Sequence, residues 1–407
     1  MNLTYQYPNT FRALEHRNFR LFWVSQILSL CGLWMQVVAK GWLILRLTDS
    51  PFALGYVTFL GMLPALPFAL VSGAIIDRVP KRKLIMLTQV GLGLQALLLA
   101  LLTWTDVIQV WHLIALESVL SVLAVLDQPA RQSFVVELVG EESLTNAIAL
   151  NSAVFNAARA IGPAIGGLIL LTVGETGCFL INGLTYLAVI VGLWLMDIED
   201  RPAERSKKAL GQSMLDGLRY LYQEPILLAL ISLMGITGLF GTSYMHLMPI
   251  FARDILQVGE SGLGLLTAAV GIGAVIGALL VARLQNGQHR QWLTVGSLLF
   301  PLALLAFALS THFKLSLLIL IIAGSTFIIQ QALVNTLIQL HVANRMRGRI
   351  MSLYSLLFIG MQQVGALLAG GIAELSSASL AVIGGAIICL LYAVGLFARY
   401  AGLRRLE

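Results

Sequence analysis

Charged residues are scarce in this chain: Asp, Glu, Lys and Arg together make up 11% of its 407 residues. Soluble globular proteins carry roughly 25% of such residues, so this composition excludes an ordinary soluble domain. Hydrophobic residues account for 58%, and they are gathered in long runs separated by short polar stretches. The chain is therefore predicted to be an all-α protein that crosses a membrane many times.

Cysteine is also rare, and patterns of catalytic or metal-binding residues are missing. Cys31, Cys178 and Cys389 lie far apart in apolar runs and fit neither a disulfide framework nor a metal site. The sequence has no phosphate-binding loop, which excludes ATP as the energy source, and no Ser-His-Asp arrangement fits within the apolar runs. We therefore expect no enzyme activity, no cofactor and no metal.

Twelve apolar runs are long enough to cross a bilayer core, which needs about 20 residues of helix. The charged segment 197–224 separates six runs from six, which predicts an N-terminal bundle (1–196), a cytoplasmic linker (197–224) and a C-terminal bundle (225–407). The predicted spans are 19–45, 53–76, 84–104, 109–130, 146–172, 177–196, 226–251, 262–283, 292–311, 315–340, 350–373 and 378–399.

Basic residues are divided unequally between the two sides of the predicted membrane. The net charge of +6 comes from Lys and Arg beside alternate apolar runs, without an aromatic platform, so it indicates topology and not nucleic-acid binding. Arg46, Arg253 and Lys314 are the basic residues that fall on the opposite side. Because cytoplasmic loops are enriched in Lys and Arg, both termini are predicted to be cytoplasmic.

A charged hairpin joins the second and third spans. It reads Gly73-x-x-x-Asp77-Arg78-x-x-Lys81-Arg82-Lys83. Glycine permits close backbone approach, and an acid at a helix end among bases suggests a specific partner, either an arginine or a helix N-terminus. A positive-inside anchor with an incidental acid is the simpler alternative.

The two halves of the sequence also echo each other. Leu54-Gly55 opens the second span and Leu263-Gly264 opens the eighth, at an offset of 209 residues (264 − 55). At the same offset Asp77 falls on Asn286. This pattern is typical of parallel repeats related by an axis along the membrane normal, a construction that one large class of transporters uses.

Four segments resemble motifs of a known family. The hairpin is similar to the loop signature of the major facilitator superfamily, and Asn156 to Gly167 is similar to the fifth-helix signature of its drug:proton antiporters. In the latter, Ala158 replaces the first glycine of the pattern. Pro129 to Ser133, with Leu144 to Ser152 downstream, and Arg347 to Leu353 resemble the subgroup that holds the enterobactin exporter and macrolide efflux proteins.

This resemblance implies the major facilitator fold, with two six-helix bundles that alternate access to a central site, in a functional monomer. It also implies a latch that forms when the cytoplasmic side closes, in which Asp77 engages Arg131 and the start of the eleventh helix near Arg349. The residues assigned to the latch are Gly73, Asp77, Arg78, Lys81, Arg82, Arg131 and Arg349.

Ionisable residues within the spans are costly and mark candidate functional positions. Lys40 lies six residues before Arg46 and Glu117 six residues after Trp111, which places both about 9 Å below the outer surface. Glu117 is either a proton-exchanging group or half of a permanent ion pair with Lys40. Arg159, at mid-depth in the fifth span, is a competing partner for Glu117.

Small residues follow Arg159 on the fifth span, and acids stand near several span ends. Packing and a proline kink explain Gly162, Pro163, Gly166 and Gly167, and closure of an interface between the halves is the functional alternative. Water-exposed helix caps are predicted at Asp106, Asp127, Glu175 and Asp254.

In the family that the sequence resembles, helices one, four, seven and ten line the cavity. Polar or aromatic residues on the spans are therefore candidates to contact cargo: Gln26, Trp34, Gln36, His246, Gln331, Asn335 and Gln362. Hydrogen bonds between helices are the alternative use of these amides. An acid-bearing N-terminal half and an amide-bearing C-terminal half suit an amphipathic or mildly cationic cargo.

The predicted function is proton-driven export of small amphipathic compounds, such as drugs, macrolides or siderophores, across a bacterial inner membrane. The expected partners are a small-molecule substrate, protons and the lipid bilayer. Two alternatives stay open: import of a small polar nutrient, and a membrane protein that handles lipid or transports nothing.

Overall fold

The computed structural model describes residues 11–76, 78–198, 210–284, 287–343 and 346–399. Within these ranges the chain forms helices joined by short turns, without a β-strand. The helices are α1 (Arg17–Thr48), α2 (Pro51–Met62), α3 (Ala65–Ile76), α4 (Lys81–Trp104), α5 (Val110–Trp194), α6 (Leu210–Gln223), α7 (Pro225–Ile236), α8 (Tyr244–Ile250), α9 (Gly259–Ala282), α10 (His289–Leu309), α11 (Phe313–His341), α12 (Arg347–Leu375) and α13 (Ala378–Arg399). A short 3₁₀ helix (Arg12–Glu15) precedes α1, and π-helical turns (Thr237–Gly241 and Phe251–Ile255) flank α8.

The longest helix, α5, is broken twice. Its 85 residues correspond to about 128 Å of straight helix, against a bilayer core of about 30 Å. Gly140 (φ 67°) and Gly174 (φ 75°) adopt left-handed backbone conformations, which glycine reaches without steric cost. They divide α5 into segments 110–139, 141–173 and 175–194, which overlap the predicted fourth, fifth and sixth spans.

Nine helices in the described ranges are long and apolar enough to cross a membrane, if α5 counts once and α7, α8 and their π-helical turns (Pro225–Ile255) count as one helix. The predicted second span is formed by two shorter helices, α2 and α3, that meet near Pro64. Ser50 caps α2, because its Oγ accepts a hydrogen bond from the Ala53 N–H, and Pro51 follows at the first helical position. The number of twelve spans stays a prediction. The predicted linker contains α6, a helix that the sequence analysis missed.

Most helices pack against other helices of the same half of the chain. The helices α1 and α4 pack on α5, while α11 packs on α9 and α10. Two pairs, α2 with α12 and α5 with α9, connect the N-terminal and C-terminal parts. One apolar core, around Phe22 and Phe134, consists of N-terminal residues, whereas a second core runs from Leu43 and Phe179 to Phe300 and thus through both parts.

Candidate functional site

An ion pair within the predicted membrane joins α1 to the first segment of α5. Lys40 Nζ lies 2.6 Å from Glu117 Oε2, and the two side chains are 15% and 12% exposed. On α2, a Cβ at Gly61 would lie 2.4 Å from Glu117 Cγ. Ser121 donates a 2.7 Å hydrogen bond to the carbonyl oxygen of Gly61. Three helices therefore enclose Glu117, where charges are screened less than at the surface.

A helix of the C-terminal part approaches this pair. A Cβ at Gly41 would lie 3.1 Å from Pro249 Cγ, so α1 touches α8 one residue after Lys40. His246 precedes Pro249 by three residues and lies on the same side of α8. It is half-buried and interacts electrostatically with Lys40. The C-terminal part thus brings a polar side chain into the vicinity of the ion pair.

Arg159 is held by aromatic residues and not by an acid. Its guanidinium carbon lies 5.7 Å from the centre of the Trp34 ring, and Trp34 packs edge-to-face on Phe155 at 6.3 Å. Arg159 Nε and Trp34 Nε1 are both buried without a hydrogen-bond partner among the described residues. The suggestion that Arg159 competes for Glu117 is therefore wrong in this structure, because Glu117 is paired with Lys40.

The small residues of the fifth-span motif face two different helices. A Cβ at Gly162 would lie 2.7 Å from Trp34 Cβ, and one at Gly166 would lie 2.9 Å from the Cα of Met35, both on α1. On the other side, a Cβ at Gly167 would lie 2.8 Å from the Cα of Gly264 on α9. The motif thus permits backbone contact on both sides of the second segment of α5.

Polar contacts join the two parts of the chain at one face, which holds Asp49, Ser50, Arg253 and Glu374. We call it the outer face, because the basic residues predict it to be non-cytoplasmic. Glu374, at the end of α12, accepts hydrogen bonds from Ser50 Oγ (2.7 Å) and the Phe52 N–H (3.2 Å). Arg253 Nη2 lies 2.6 Å from Asp49 Oδ1. A carboxylate on the N-terminus of α2 is electrostatically favourable, so these contacts stabilise a closed outer face.

Backbone contacts lie directly below these polar groups. A Cβ at Gly55 would lie 2.3 Å from the carbonyl oxygen of Ala366, where α2 meets α12. A Cβ at Gly264 would lie 2.6 Å from the carbonyl oxygen of Pro163, where α9 meets α5. Neither contact has room for a side chain in this arrangement.

The equivalent positions toward the opposite, inner face are open. Gly73 lies 18 residues after Gly55 (73 − 55), and Gly348 lies 18 residues before Ala366 (366 − 348). Eighteen residues make about five turns of continuous helix, so Gly348 shares a face of α12 with Ala366, while Gly73 lies on α3, beyond the break near Pro64. A Cβ at Gly73 or Gly348 would have no atom of the described residues within 4 Å. The helices α3 and α12 therefore diverge toward the inner face.

Two basic residues assigned to the latch, Lys81 and Arg82, have partners within the N-terminal part. Lys81 pairs with Glu137. Arg82 donates hydrogen bonds to the carbonyl oxygens of Leu193 (2.9 Å) and Trp194 (3.2 Å), and thereby caps the last segment of α5. This capping role was not predicted.

The remaining residues of the latch hypothesis are spread along the inner face. Arg131 Nε lies 2.5 Å from Asp127 Oδ2. Arg349 Nη1 donates to the sulfur of Met346 at 3.7 Å, and Arg78 is exposed. Asp77 lies outside the described residues. The latch therefore stays a hypothesis.

Asp127 corrects the sequence analysis most clearly. It was predicted to be a water-exposed cap, but it is 8% exposed and lies between α4 and α5. It accepts hydrogen bonds from Thr88 Oγ1 (2.6 Å) and Gln89 Nε2 (3.0 Å), and it also pairs with Arg131. The other predicted caps vary: Glu175 pairs with Arg46, Asp254 pairs with Arg253, and Asp106 is exposed.

Replacing Asp127 by alanine is expected to destabilise the protein strongly. The change leaves Arg131 and Gln89 without their acceptor, whereas Thr88 keeps the carbonyl oxygen of Ile85, and breaking a buried ion pair costs about 3–5 kcal/mol. Thermal unfolding of the purified protein in detergent measures the effect. Asp106→Asn, at an exposed carboxylate whose positive φ of 55° asparagine tolerates, is the control and is expected to change stability by about 0.5 kcal/mol or less. Equal unfolding temperatures for the two variants would contradict this role of Asp127.

Two residues predicted to line a cavity are buried in the N-terminal part instead. Gln36 is 2% exposed; it donates to Gln95 Oε1 (3.3 Å) and accepts from Asn182 Nδ2 (2.6 Å). Gln26 is also buried. Gln95 and Asn182 were not predicted from the sequence, although an amide in an apolar span signals the need for a hydrogen-bonding partner.

The amides predicted in the C-terminal part are more accessible. Gln331, Asn335 and Gln362 are half-buried. Asn335 accepts a 2.5 Å hydrogen bond from Gln339, one turn further along α11. Of the predicted cavity residues, these three, Trp34 and His246 stay candidates to contact cargo.

Comparison with known proteins extends over nearly the whole chain. Residues 8–406 match the model of a family described as transmembrane secretion effector. The multidrug efflux pump Tap of Mycolicibacterium fortuitum is 26% identical over 349 residues, 83% of this chain and 85% of the relative. The enterobactin exporter EntS of Shigella flexneri is 28% identical over 367 residues, 88% of this chain and 85% of the relative.

A solved structure shares the arrangement of helices. It is a bacterial homologue of the human lysosomal transporter Spinster, in an inward-facing and unoccupied conformation. The TM-score is 0.72 at 16% identity, and the match covers 96% of this chain and 97% of the other. The predicted fold class, an all-α protein with many membrane spans, is thereby confirmed.

Proposed function

Since this chain belongs to the transmembrane secretion effector family of major facilitator transporters, we propose that it exports small amphipathic compounds in exchange for protons. It is a multi-pass membrane transporter and not an enzyme. A multidrug efflux pump and an enterobactin exporter are among its relatives, which supports export over import. We assign it to a bacterial inner membrane, with both termini in the cytoplasm.

The observation that carries this proposal is the unequal packing of α2, α3 and α12 at the two faces. The backbones touch at Gly55 and Ala366, while Gly73 on α3 and Gly348, about five turns before Ala366 on α12, have open space among the described residues. Rocking one bundle against the other would separate the first pair and bring the second pair together. Such a movement provides alternating access. We propose that the two moving bodies are the bundles 1–196 and 225–407, joined by the linker 197–224.

A latch at the inner face completes the proposed cycle. Closure would bring the hairpin around Gly73 to the N-terminus of α12, which begins at Arg347. Asp77 would then lie at the positive end of that helix, an interaction worth up to about 2 kcal/mol when partly buried. At the outer face, Glu374 makes the equivalent contact with the N-terminus of α2. We propose that one carboxylate-to-helix contact replaces the other during transport.

We propose that the Lys40–Glu117 pair couples this movement to protons. A proton on Glu117 would neutralise its carboxylate and leave Lys40 as an unpaired cation in a poorly solvated place. Glu117 packs against Gly61 on α2, and α2 is also the helix that closes the outer face. Protonation of Glu117 would therefore affect the same helix that moves when the outer face opens. A permanent ion pair that only supports the fold is the competing interpretation.

The test of the proposed function uses proteoliposomes with a pH-sensitive dye inside and an imposed proton gradient. The compounds added in turn are lipophilic cationic drugs, a macrolide and a catechol siderophore, and protein-free liposomes are the control. We expect at least one compound to trigger proton movement opposite to its own. Movement of compound and protons in the same direction would contradict export and favour import. A rate of proton movement that stays unchanged when each compound is added would contradict coupled transport.

A further inference from the structure

Arg159 is an unpaired cation in the interior of the described structure. Two other cations inside the N-terminal part are matched, because Lys40 pairs with Glu117 and Arg131 pairs with Asp127. The described residues provide no ion pair or hydrogen bond for the Arg159 side chain. The titratable group that acts electrostatically on it is the phenol of Tyr244, which is neutral at physiological pH. The interior around Arg159 therefore carries a net positive charge.

Two buried hydrogen-bond donors at Arg159 and Trp34 have no acceptor among the described residues. Arg159 Nε and Trp34 Nε1 are buried donors without partners, on two side chains in van der Waals proximity: the guanidinium carbon lies 5.7 Å from the Trp34 ring centre. A buried donor without a partner is unfavourable, so a native structure that keeps two of them together needs an explanation. A ligand that binds from outside the chain and accepts hydrogen bonds from both donors would provide this explanation.

The geometry also indicates what kind of acceptor fits. A guanidinium presents a planar fork of N–H groups that matches the two oxygens of a carboxylate. Trp34 and Phe155 add aromatic faces and edges, which suit an apolar, preferably aromatic body. The site has one cationic residue in excess, so a cationic cargo would be repelled where an anionic one is attracted.

We propose that Arg159 and Trp34 bind an oxyanion of the cargo, and that the preferred cargo is an amphipathic aromatic carboxylate. This inference rests on the proposed transport function and narrows its substrate class. It reverses the cationic preference expected from the sequence, because that expectation counted Glu117 as an available acid. In the structure Glu117 forms an ion pair with Lys40, so Arg159 is the cation without an anionic partner among the described residues.

The experiment compares probes that share one aromatic body and differ in charge: 2-naphthoate, 2-naphthamide and the 2-naphthylmethylammonium cation. Equilibrium dialysis against the purified protein in detergent measures their affinities. We expect 2-naphthoate to bind about 10- to 100-fold more tightly than 2-naphthamide, the usual range for a hydrogen bond to a charged group. The cation is expected to bind most weakly.

Variants test whether the preference comes from the proposed residues. Arg159→Gln is expected to abolish the preference for the acid, and Arg159→Lys to keep part of it. Trp34→Phe retains the ring stacking but removes the Nε1 donor, and is expected to weaken naphthoate binding about fivefold. Arg46→Gln removes a cation that is paired with Glu175 at the outer face, and is expected to leave the preference unchanged. It controls for the loss of a positive charge elsewhere.

Several outcomes would overturn the inference. They are absence of saturable naphthoate binding, equal binding of acid and amide, and a preference for the acid that survives in Arg159→Gln. If the liposome assay shows proton-coupled export of cationic drugs while these results occur, the proposed function stands and the anion site is wrong. If the anion site is present but no compound moves protons, the proposed function is wrong.

Discussion

Replacing Gly55 by tryptophan is expected to abolish export by holding the outer face open. A Cβ alone would lie 2.3 Å from the carbonyl oxygen of Ala366, so α2 and α12 cannot keep their contact around a larger side chain. Overpacking costs about 3 kcal/mol or more here, which shifts the balance between closed and open outer faces by about 100-fold. Compound-triggered proton movement in proteoliposomes measures the loss of transport.

A second readout shows whether the loss has the proposed cause. In a chain without Cys31, Cys178 and Cys389, a cysteine at Gln331 is labelled with a maleimide that cannot cross membranes. Gly55→Trp is expected to increase its labelling from the outer side. Gly384→Trp is the matched control, because a Cβ at Gly384 would meet nothing within 4 Å among the described residues. Normal transport by Gly55→Trp would show that the outer contact need not close.

The Glu117→Gln variant is expected to lose proton-coupled export almost completely while it still equilibrates compound down a gradient. The amide cannot take up a proton in the relevant range, so pH-driven accumulation is expected to fall by an order of magnitude or more. The change also leaves Lys40 without its anion, at a cost of about 3–5 kcal/mol. Dye-reported proton movement and compound counterflow, measured on the same liposomes, separate coupling from transport.

Two further variants separate coupling from structural support. Lys40→Met combined with Glu117→Gln removes both charges and is expected to recover thermal stability without recovering coupling. Glu175→Gln breaks the other partly buried pair on this side, with Arg46, and is expected to keep coupling. If the double variant moves protons with compound at the normal rate, the Lys40–Glu117 pair only supports the fold.

Hydropathy was sufficient to predict an all-α chain with many membrane-crossing helices and, through helix rise, the common depth of Lys40 and Glu117, which pair in the structure. It did not predict which side of each helix faces protein. A membrane helix is apolar on the lipid side and in the core alike, so the periodicity that orients a soluble helix is weak. Gln36 was therefore assigned to a cavity and Asp127 to water, although both are buried between neighbouring helices.

Other features depended on contacts between residues far apart in sequence. The outer contact of Glu374 with α2 joins residues more than 300 positions apart, and neither end carries a motif. The unpaired state of Arg159 became visible only once Glu117 was given a partner. By contrast, Gly162 and Gly166 could be recognised from spacing alone as positions of close packing, because small residues have few other uses in an apolar helix.

Disulfide cross-linking of two cysteine pairs, 41 with 249 on the outer side and 73 with 348 on the inner side, tests alternating access most directly, because a Cβ at Gly41 would lie 3.1 Å from Pro249 Cγ between α1 and α8. Each pair is introduced into a chain without native cysteines, and cross-linking requires Cα atoms within about 7 Å. We predict that the outer pair forms and the inner pair does not. In the Gly264→Trp background, which disrupts the α5–α9 contact, the inner pair is predicted to form and the outer pair to be lost. Both pairs forming together, or neither responding to Gly264→Trp, would contradict the account.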